Sequence, residues 1–264
     1  MQTLKSKPFF TRDEECQRLW ELEEIKNIMA KHSYYYSNGQ RREELSNLWV
    51  TTAQNRKTAS LGNNWGYYVG MDDISHYYVV EYTEKLYARL QAYHDADPSV
   101  EVNSLNLGKG VMAHHTSTTP LCYISQDGRF ARYMGYDLGE VTFGKPNLEA
   151  DAYFVFGLLY CDLIKENGQW KIWHLIMTRD HTMPNGESYT GTVPARILKK
   201  GEDPLDDWDG TPTKNDHKVY EPFFGWEYLY QDMPTEFYTY TDLTGYGPES
   251  NMGYDYVARE RRSI

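Results

Sequence analysis

One stretch constrains this chain more than any other. It runs from Ala152 to His181, AYFVFGLLYCDLIKENGQWKIWHLIMTRDH, and sets two runs of aromatic and branched side chains around Glu166-Asn167-Gly168. Asn-Gly tolerates positive φ at both central positions of a tight turn, so the two runs are expected to pair as an antiparallel hairpin. Asp162, His174, Arg179 and His181 are threaded among the apolar residues. A half-buried strand carrying such groups either satisfies a core network or builds a polar pocket.

The pattern extends upstream. Runs 111–125, 129–142, 152–165 and 169–181 read as strands, with Asp127-Gly128 as the first turn. Before them, Thr11 and Glu14 have capping-box spacing. Leu19, Leu22, Ile25, Ile28 and Met29 then recur at helical spacing and lead to His32 and to Tyr35 or Tyr36. Asn38-Gly39 ends that helix. A second helix is expected over 41–50, and a third, capped by Asp72, from Asp73 to about Tyr93, beyond a loop at Asn63-Asn64-Trp65-Gly66. Three helices followed by four long antiparallel strands predict an α+β domain over 1–185, with a curved sheet wrapped on helices. From 186 to 264 periodicity fades, but Trp208, Phe223, Phe224, Trp226, Phe237 and Tyr240 persist. Disordered tails are poor in aromatics, so this irregular extension is expected to pack on the domain or on a neighbouring subunit.

Composition narrows the function. The net charge of −11 removes the electrostatic footprint of nucleic-acid binding and argues against anionic membranes. The three cysteines have no CxxC spacing. MQTLKSKPFFTRDEE lacks the apolar centre of a signal peptide, and no run is long enough to span a membrane. The expectation is a cytoplasmic protein. Its 24 tyrosines suit a ligand cavity, because each offers an apolar body and a hydroxyl. No GxGxxG, P-loop, GxSxG elbow, HExxH or Cys/His metal spacing occurs, so no cofactor and no metal are expected.

Candidate catalytic groups fall on the first two strands and the first helix. In MAHHTSTTP, His114 and His115 face opposite sides of a strand, so one of them looks inward. A hairpin turning on Asp127-Gly128 sets Asp137 near Thr118, within a pair or two of His115. A carboxylate there fixes the imidazole tautomer and raises its basicity, as a general base requires; a structural hydrogen bond is the alternative. His32 and Tyr36 close the first helix as candidate proton donors, and Arg179 can meet a carboxylate or an oxyanion. Tyr35, Trp65, Tyr136, Tyr160, His174 and His181 complete the set as candidate substrate-binding side chains.

With these residues in place, the order of elements, MAHHTSTTP and FGLLYCDLIKENGQWKIWHL together resemble the SnoaL-like branch of the NTF2-like superfamily over roughly residues 15 to 182. Bile acid 7α-dehydratase, scytalone dehydratase and lignin-dimer formaldehyde lyase are relatives of that kind. The resemblance implies a conical α+β barrel with a deep apolar pocket and cofactor-independent elimination or isomerisation. On the bile acid dehydratase pattern the pocket His matches His115, its Asp matches Asp137 and its Arg matches Arg179. Counting back from Asp137 selects His114 instead. Where that pattern has a helix-one Tyr and an Asp before Gly, this chain has His32 and Asn38. The resulting expectation is a lyase or isomerase acting on a bulky, hydrophobic, aromatic or polycyclic small molecule, as a homodimer or homotrimer. The alternative is a non-catalytic small-molecule binder.

Overall fold

The computed structural model describes residues 10–63, 66–146, 150–179, 181–184, 233–242 and 245–248. Helix α1, Arg12–Ser37, starts at the predicted capping box. The Thr11 hydroxyl accepts the Glu14 N–H, and the Glu14 carboxylate accepts the Thr11 N–H at 2.8 Å. Its inward stripe is Glu21, Ile25, Ile28, Met29 and His32. Leu19, expected on that stripe, is rotated off it and exposed. Arg18 and Glu21 hold this end of the helix instead, through the carbonyls of Ile124 and Ser125 and the ammonium of Lys165.

Helix α2 spans Arg41–Leu48, two residues shorter than expected at its C-terminus, because Trp49 leaves the helix to bridge Ile172. A short helix α3, Ala53–Thr58, and a hairpin of β1, Ser60–Asn63, and β2, Gly66–Val69, follow; none of the three was expected. The anticipated third helix is three segments: α4, Met71–Ser75, a π-helical turn over His76–Glu81, and α5, Tyr82–Ala96. Gly70, at φ 88°, precedes it rather than an Asp72 cap. The widened π turn brings the consecutive Tyr77, Tyr78 and Val79 all into buried positions, which a regular 3.6-residue period does not do.

Four long strands follow: β3, Val111–Ile124; β4, Phe130–Gly144; β5, Ala150–Glu166; and β6, Gln169–Met177. The predicted turn holds Asn167 at φ 50° and Gly168 at φ 81°. A separate β7, His181–Pro184, pairs with β5, so the last predicted run is broken after Met177. The sheet has seven strands in the order β2-β1-β6-β5-β4-β3, with β7 beside β5. It is curved and unclosed, with the helices on one face, which is the predicted α+β class without barrel closure. No helix among the described residues is long and apolar enough to cross a membrane.

Glu166, at the end of β5, ties the α2–α3 link to the hairpin. Its carboxylate accepts the Thr51 N–H at 2.7 Å, the hydroxyls of Thr51 and Thr52, and the Asn55 amide. Burial works to raise its pKa, but these donors outweigh burial and hold it down at about 2.

Strand alternation splits the sheet into two chemical surfaces. The helix-facing side carries Tyr133, Leu159, Cys161, Leu163 and Leu175 in the main core. The opposite side carries Met134, Leu158, Tyr160 and Ile176, covered by Tyr246 from the C-terminal extension. That covering segment is tied down by backbone bonds from Gln126 and Asp127 to the carbonyls of Phe237 and Tyr238. Trp208, Phe223, Phe224 and Trp226 lie outside the described residues.

Beneath the segment, the Tyr246 N–H donates to Asp162, Arg132 lies 3.6 Å from the same carboxylate, and His174 Nδ1 meets the Ser60 hydroxyl at 2.9 Å. Burial lifts the Asp162 carboxyl to about 7, against the pull of Arg132 and the Tyr246 N–H. Burial also lowers the His174 imidazole to about 3. Folding therefore favours the proton on Asp162 from its ordinary 3.8 up to about 7, so this group's contribution to stability falls as pH rises through that window. His174 stays neutral when folded but charges when unfolded below its ordinary 6.5, so its contribution rises with pH from about 3 to 6.5. Each slope is about 1.4 kcal/mol per pH unit, and they cancel between about pH 4 and 6.5. Urea unfolding across that range is expected to show, relative to wild type, an added positive slope for Asp162→Asn and an added negative slope for His174→Gln. Parallel curves for all three proteins would refute the assignment.

Candidate active site

The last turns of α1 and the inner row of β3 and β4 meet at one place. His32 and Tyr36 are one helical turn apart, with ring centroids 6.1 Å apart. Ser37 fixes the helix end to β3: its hydroxyl accepts the His115 N–H at 3.0 Å. On β3 the alternation sends Val111, Ala113, His115 and Ser117 to the helix side, where Asp137, Gly139, Val141 and Phe143 of β4 lie across from them. His114 is exposed on the other side, so the inward histidine is His115.

Asp137 pairs with Ser117 and Gly139 with His115, placing the carboxylate diagonally beside the imidazole. His115 Nδ1 lies 3.0 and 3.2 Å from the two Asp137 oxygens, and both side chains are buried. An ionised carboxylate accepts only, so it selects the Nδ1–H tautomer and leaves Nε2 with its lone pair. Nε2 is buried and has no hydrogen-bond partner among the described residues. Gly139 makes the room: a Cβ there would stand 2.5 Å from the His114 carbonyl oxygen and 3.1 Å from His115 Nδ1.

Tyr36 packs edge-on against His115, with centroids 4.7 Å apart. Behind it lies a network that the sequence reading missed. Arg41 of α2 is buried with its guanidinium over the rings of Tyr36, Tyr78 and Tyr82, at 4.7, 4.7 and 3.5 Å from the centroids. Glu44, one turn on, is fully buried and accepts from His32 Nδ1 at 2.8 Å, Trp49 Nε1 at 3.2 Å and the Tyr78 hydroxyl at 2.7 Å. Burial works to lower the His32 pKa, but Glu44 outweighs it and the net direction is up. The Tyr78 hydroxyl is driven well up by burial and by Glu44, so it remains a donor. The only signal for this network in the sequence is that RREELSNL is a helix with two leucines. Such a helix has too little apolar surface to bury without enclosing Arg41 and Glu44.

A cavity of about 50 Å³ opens beside this network. Tyr36, Arg41, Val141, Phe143, Met177 and Arg179 are in its wall. Among the described residues this cavity is small, with Arg41 and its tyrosines packed in its wall. His115 is not in the wall; Tyr36, which is, packs between the cavity lining and the imidazole.

Of the expected site residues, the structure brings together His115, Asp137, Tyr36 and His32, and Arg179 is in the cavity wall with Tyr36. Others are placed elsewhere. Tyr35 is not in the wall; its hydroxyl takes the Asn47 amide at 3.1 Å. Tyr136, Tyr160 and His174 lie on the far face of the sheet, because their positions alternate out of phase with Asp137, Leu159 and Leu175. His114 is out for the same reason. Trp65 and the side chain of His181 lie outside the described residues. No group of three or more His, Cys, Asp or Glu among the described residues is arranged to hold a metal.

No protein-family model matches the sequence, and no curated protein matches it. Solved structures similar to this one include three of low identity. A hexachlorocyclohexane dehydrochlorinase from Novosphingobium barchaimii is 12% identical with a TM-score of 0.44, over 66% of this chain and 96% of that one. An NTF2-like protein with a cystatin-like fold from Novosphingobium aromaticivorans is 12% identical with a TM-score of 0.41, over 69% of this chain and 95% of that one. A Mycobacterium tuberculosis protein of unknown function is 17% identical with a TM-score of 0.40, over 62% of this chain and 75% of that one.

Proposed function

We propose that the protein is a lyase or isomerase working by general acid–base catalysis without a cofactor, on a hydrophobic small molecule with an activated C–H bond. The observation that carries this reading is His115. Its Nδ1 is held by Asp137, while its Nε2 is buried with no partner among the described residues, beside Tyr36 at the edge of a cavity. That is the arrangement of a base kept in one tautomer.

In an elimination, His115 Nε2 takes the proton from carbon and the C–H electron pair forms the new C=C bond. The leaving oxygen departs with its own bonding pair and receives a proton from the Tyr36 hydroxyl, giving water. Proton return from His115 to Tyr36 restores the starting state. In an isomerisation the same base returns its proton to a different carbon. Asp137 stabilises the transient imidazolium, and the guanidinium groups of Arg41 and Arg179, both in the cavity wall, would stabilise negative charge building on an oxygen. A bulky aromatic or polycyclic substrate would reach His115 from this cavity, itself about 50 Å³, with Tyr36 swung aside.

The absence of His115 from the cavity wall favours a second reading, a small-molecule binder in which the dyad is structural. Both are tested by incubating the protein in D₂O with β-hydroxy carbonyl compounds, phenolic alcohols and polycyclic alcohols. The catalytic reading expects deuterium incorporation, or loss of water or formaldehyde, by mass spectrometry. Ligand-induced thermal shifts with no conversion would leave the binder.

A further inference from the structure

A second polar cluster lies on the sheet face opposite His115, and the acid–base reading does not use it. Arg132, Asp162, His174 and Ser60 form one row across β4, β5, β6 and β1, each the register partner of the next. Their exposures are 4, 1, 2 and 0%. Such a row has the composition of a solvated sheet face rather than of a core. The segment described over 233–242 and 245–248 lies over it. The Phe237 ring is 4.2 Å from the Arg132 guanidinium, the Tyr246 N–H donates to Asp162, and the Tyr240 and His174 ring centroids are 5.8 Å apart.

This cover adds no strand to the sheet. Its aromatic rings pack well, Tyr240 at 4.7 Å from Trp173 and Tyr246 at 5.2 Å from Tyr160. Its polar fit is incomplete. His174 Nε2 and the Tyr246 hydroxyl are both buried with no hydrogen-bond partner among the described residues. Lifting the segment returns both to water, which offsets part of what the ring packing contributes. An element held in this way opens at a lower free energy than the sheet beneath it. The contact is also made by main chain. Asp162 accepts a backbone N–H, and two glycines let the backbone come close. A Cβ on Gly245 would stand 2.8 Å from Asp162 Oδ2, and one on Gly247 3.2 Å from His174 Nε2 and 3.0 Å from the Tyr240 hydroxyl oxygen.

We propose that this segment is a strap, docked on the Arg132–Asp162–His174–Ser60 row as a peptide ligand would be, and that it lifts off while the sheet stays folded. The row is then a peptide-binding surface whose resident occupant is the chain's own Gly245-Tyr246-Gly247. Because that occupant is tethered, it out-competes free peptide of the same sequence. The strap lies across the sheet from His115, so it stands or falls independently of the acid–base reading.

The test is hydrogen–deuterium exchange of the full chain, read by mass spectrometry of its peptic fragments. Amides of the strap are expected to exchange at least about 100-fold faster than those of β5 and β6, after correction for intrinsic rates. Gly247→Val places a side chain against His174 and Tyr240. It should speed strap exchange by a further factor of about ten and leave β5, β6 and the far-UV circular dichroism unchanged. A synthetic peptide of the wild-type sequence 233–248 should then bind this variant, by fluorescence anisotropy, and a peptide carrying the same valine should not. A wild-type strap that exchanges as slowly as β5 and β6 would overturn the proposal. So would a Gly247→Val chain whose sheet exchanges as fast as its strap, since the segment is then part of the folded unit. Equal binding of the two peptides, or binding of neither, would remove the peptide-binding surface.

Discussion

Replacing His115 with Gln is expected to lower kcat/KM by about 10²–10⁴-fold on any compound the wild type converts, the usual worth of a positioned general base. Gln has similar length and keeps a hydrogen-bonding group near Asp137, but it cannot take a proton from carbon. Circular dichroism and the unfolding midpoint should change little. Asp137→Asn should cost a comparable factor by a different route. An amide can donate to Nδ1 as readily as it accepts, so the tautomer with a basic Nε2 is no longer selected. Because the two act as one unit, the double variant should be about as slow as the worse single, not the product of both losses. Multiplicative losses would mean that Asp137 does not act through His115. An active His115→Gln enzyme would remove the base from the mechanism.

The second large effect concerns stability. Glu44→Leu is expected to destabilise the fold by about 3–5 kcal/mol, as when one partner of a buried polar set is removed. Three donors, His32 Nδ1, Trp49 Nε1 and the Tyr78 hydroxyl, lose their acceptor at once. Glu44→Gln, which still offers one carbonyl, should cost less. The pH dependence distinguishes this from a simple packing defect. The folded His32 pKa is raised above its ordinary 6.5, so its ion pair with Glu44 contributes fully below 6.5 and is lost as pH rises through the folded value. The gap between wild type and Glu44→Leu in urea unfolding should therefore be widest below pH 6.5 and narrow at alkaline pH. A gap independent of pH would mean that His32 is neutral throughout.

Much of the strand framework was legible because its signals are local. Asn167-Gly168 and Asp127-Gly128 announce their turns through backbone conformations that few residues tolerate, and the apolar runs on either side fixed the pairing partners. The closeness of His115 to Asp137 followed from counting along that pairing. The observed register, Ser117 with Asp137, lies one residue from the expected Thr118. The bulge between Thr118 and Leu121, with Thr119 at φ 48°, was not legible. Nor was the π turn that buries Tyr77 and Tyr78 together, since neither leaves a mark in the hydrophobic period.

The sequence by itself determined the helix-then-strand order, the two tight turns and the approach of an imidazole to a carboxylate on neighbouring strands. Only the tertiary structure decided which sheet face became the cavity side. Alternation assigns His114 and His115 to opposite faces but names neither as inner. That choice falls to α1, which lies over His115, and to the segment around Tyr246, which covers Tyr160 and His174 on the far side. The tertiary structure also made Arg41 and Glu44 part of the site. Their burial depends on tyrosines and a tryptophan contributed from other parts of the chain, and the local pattern of a polar helix carries no record of those partners.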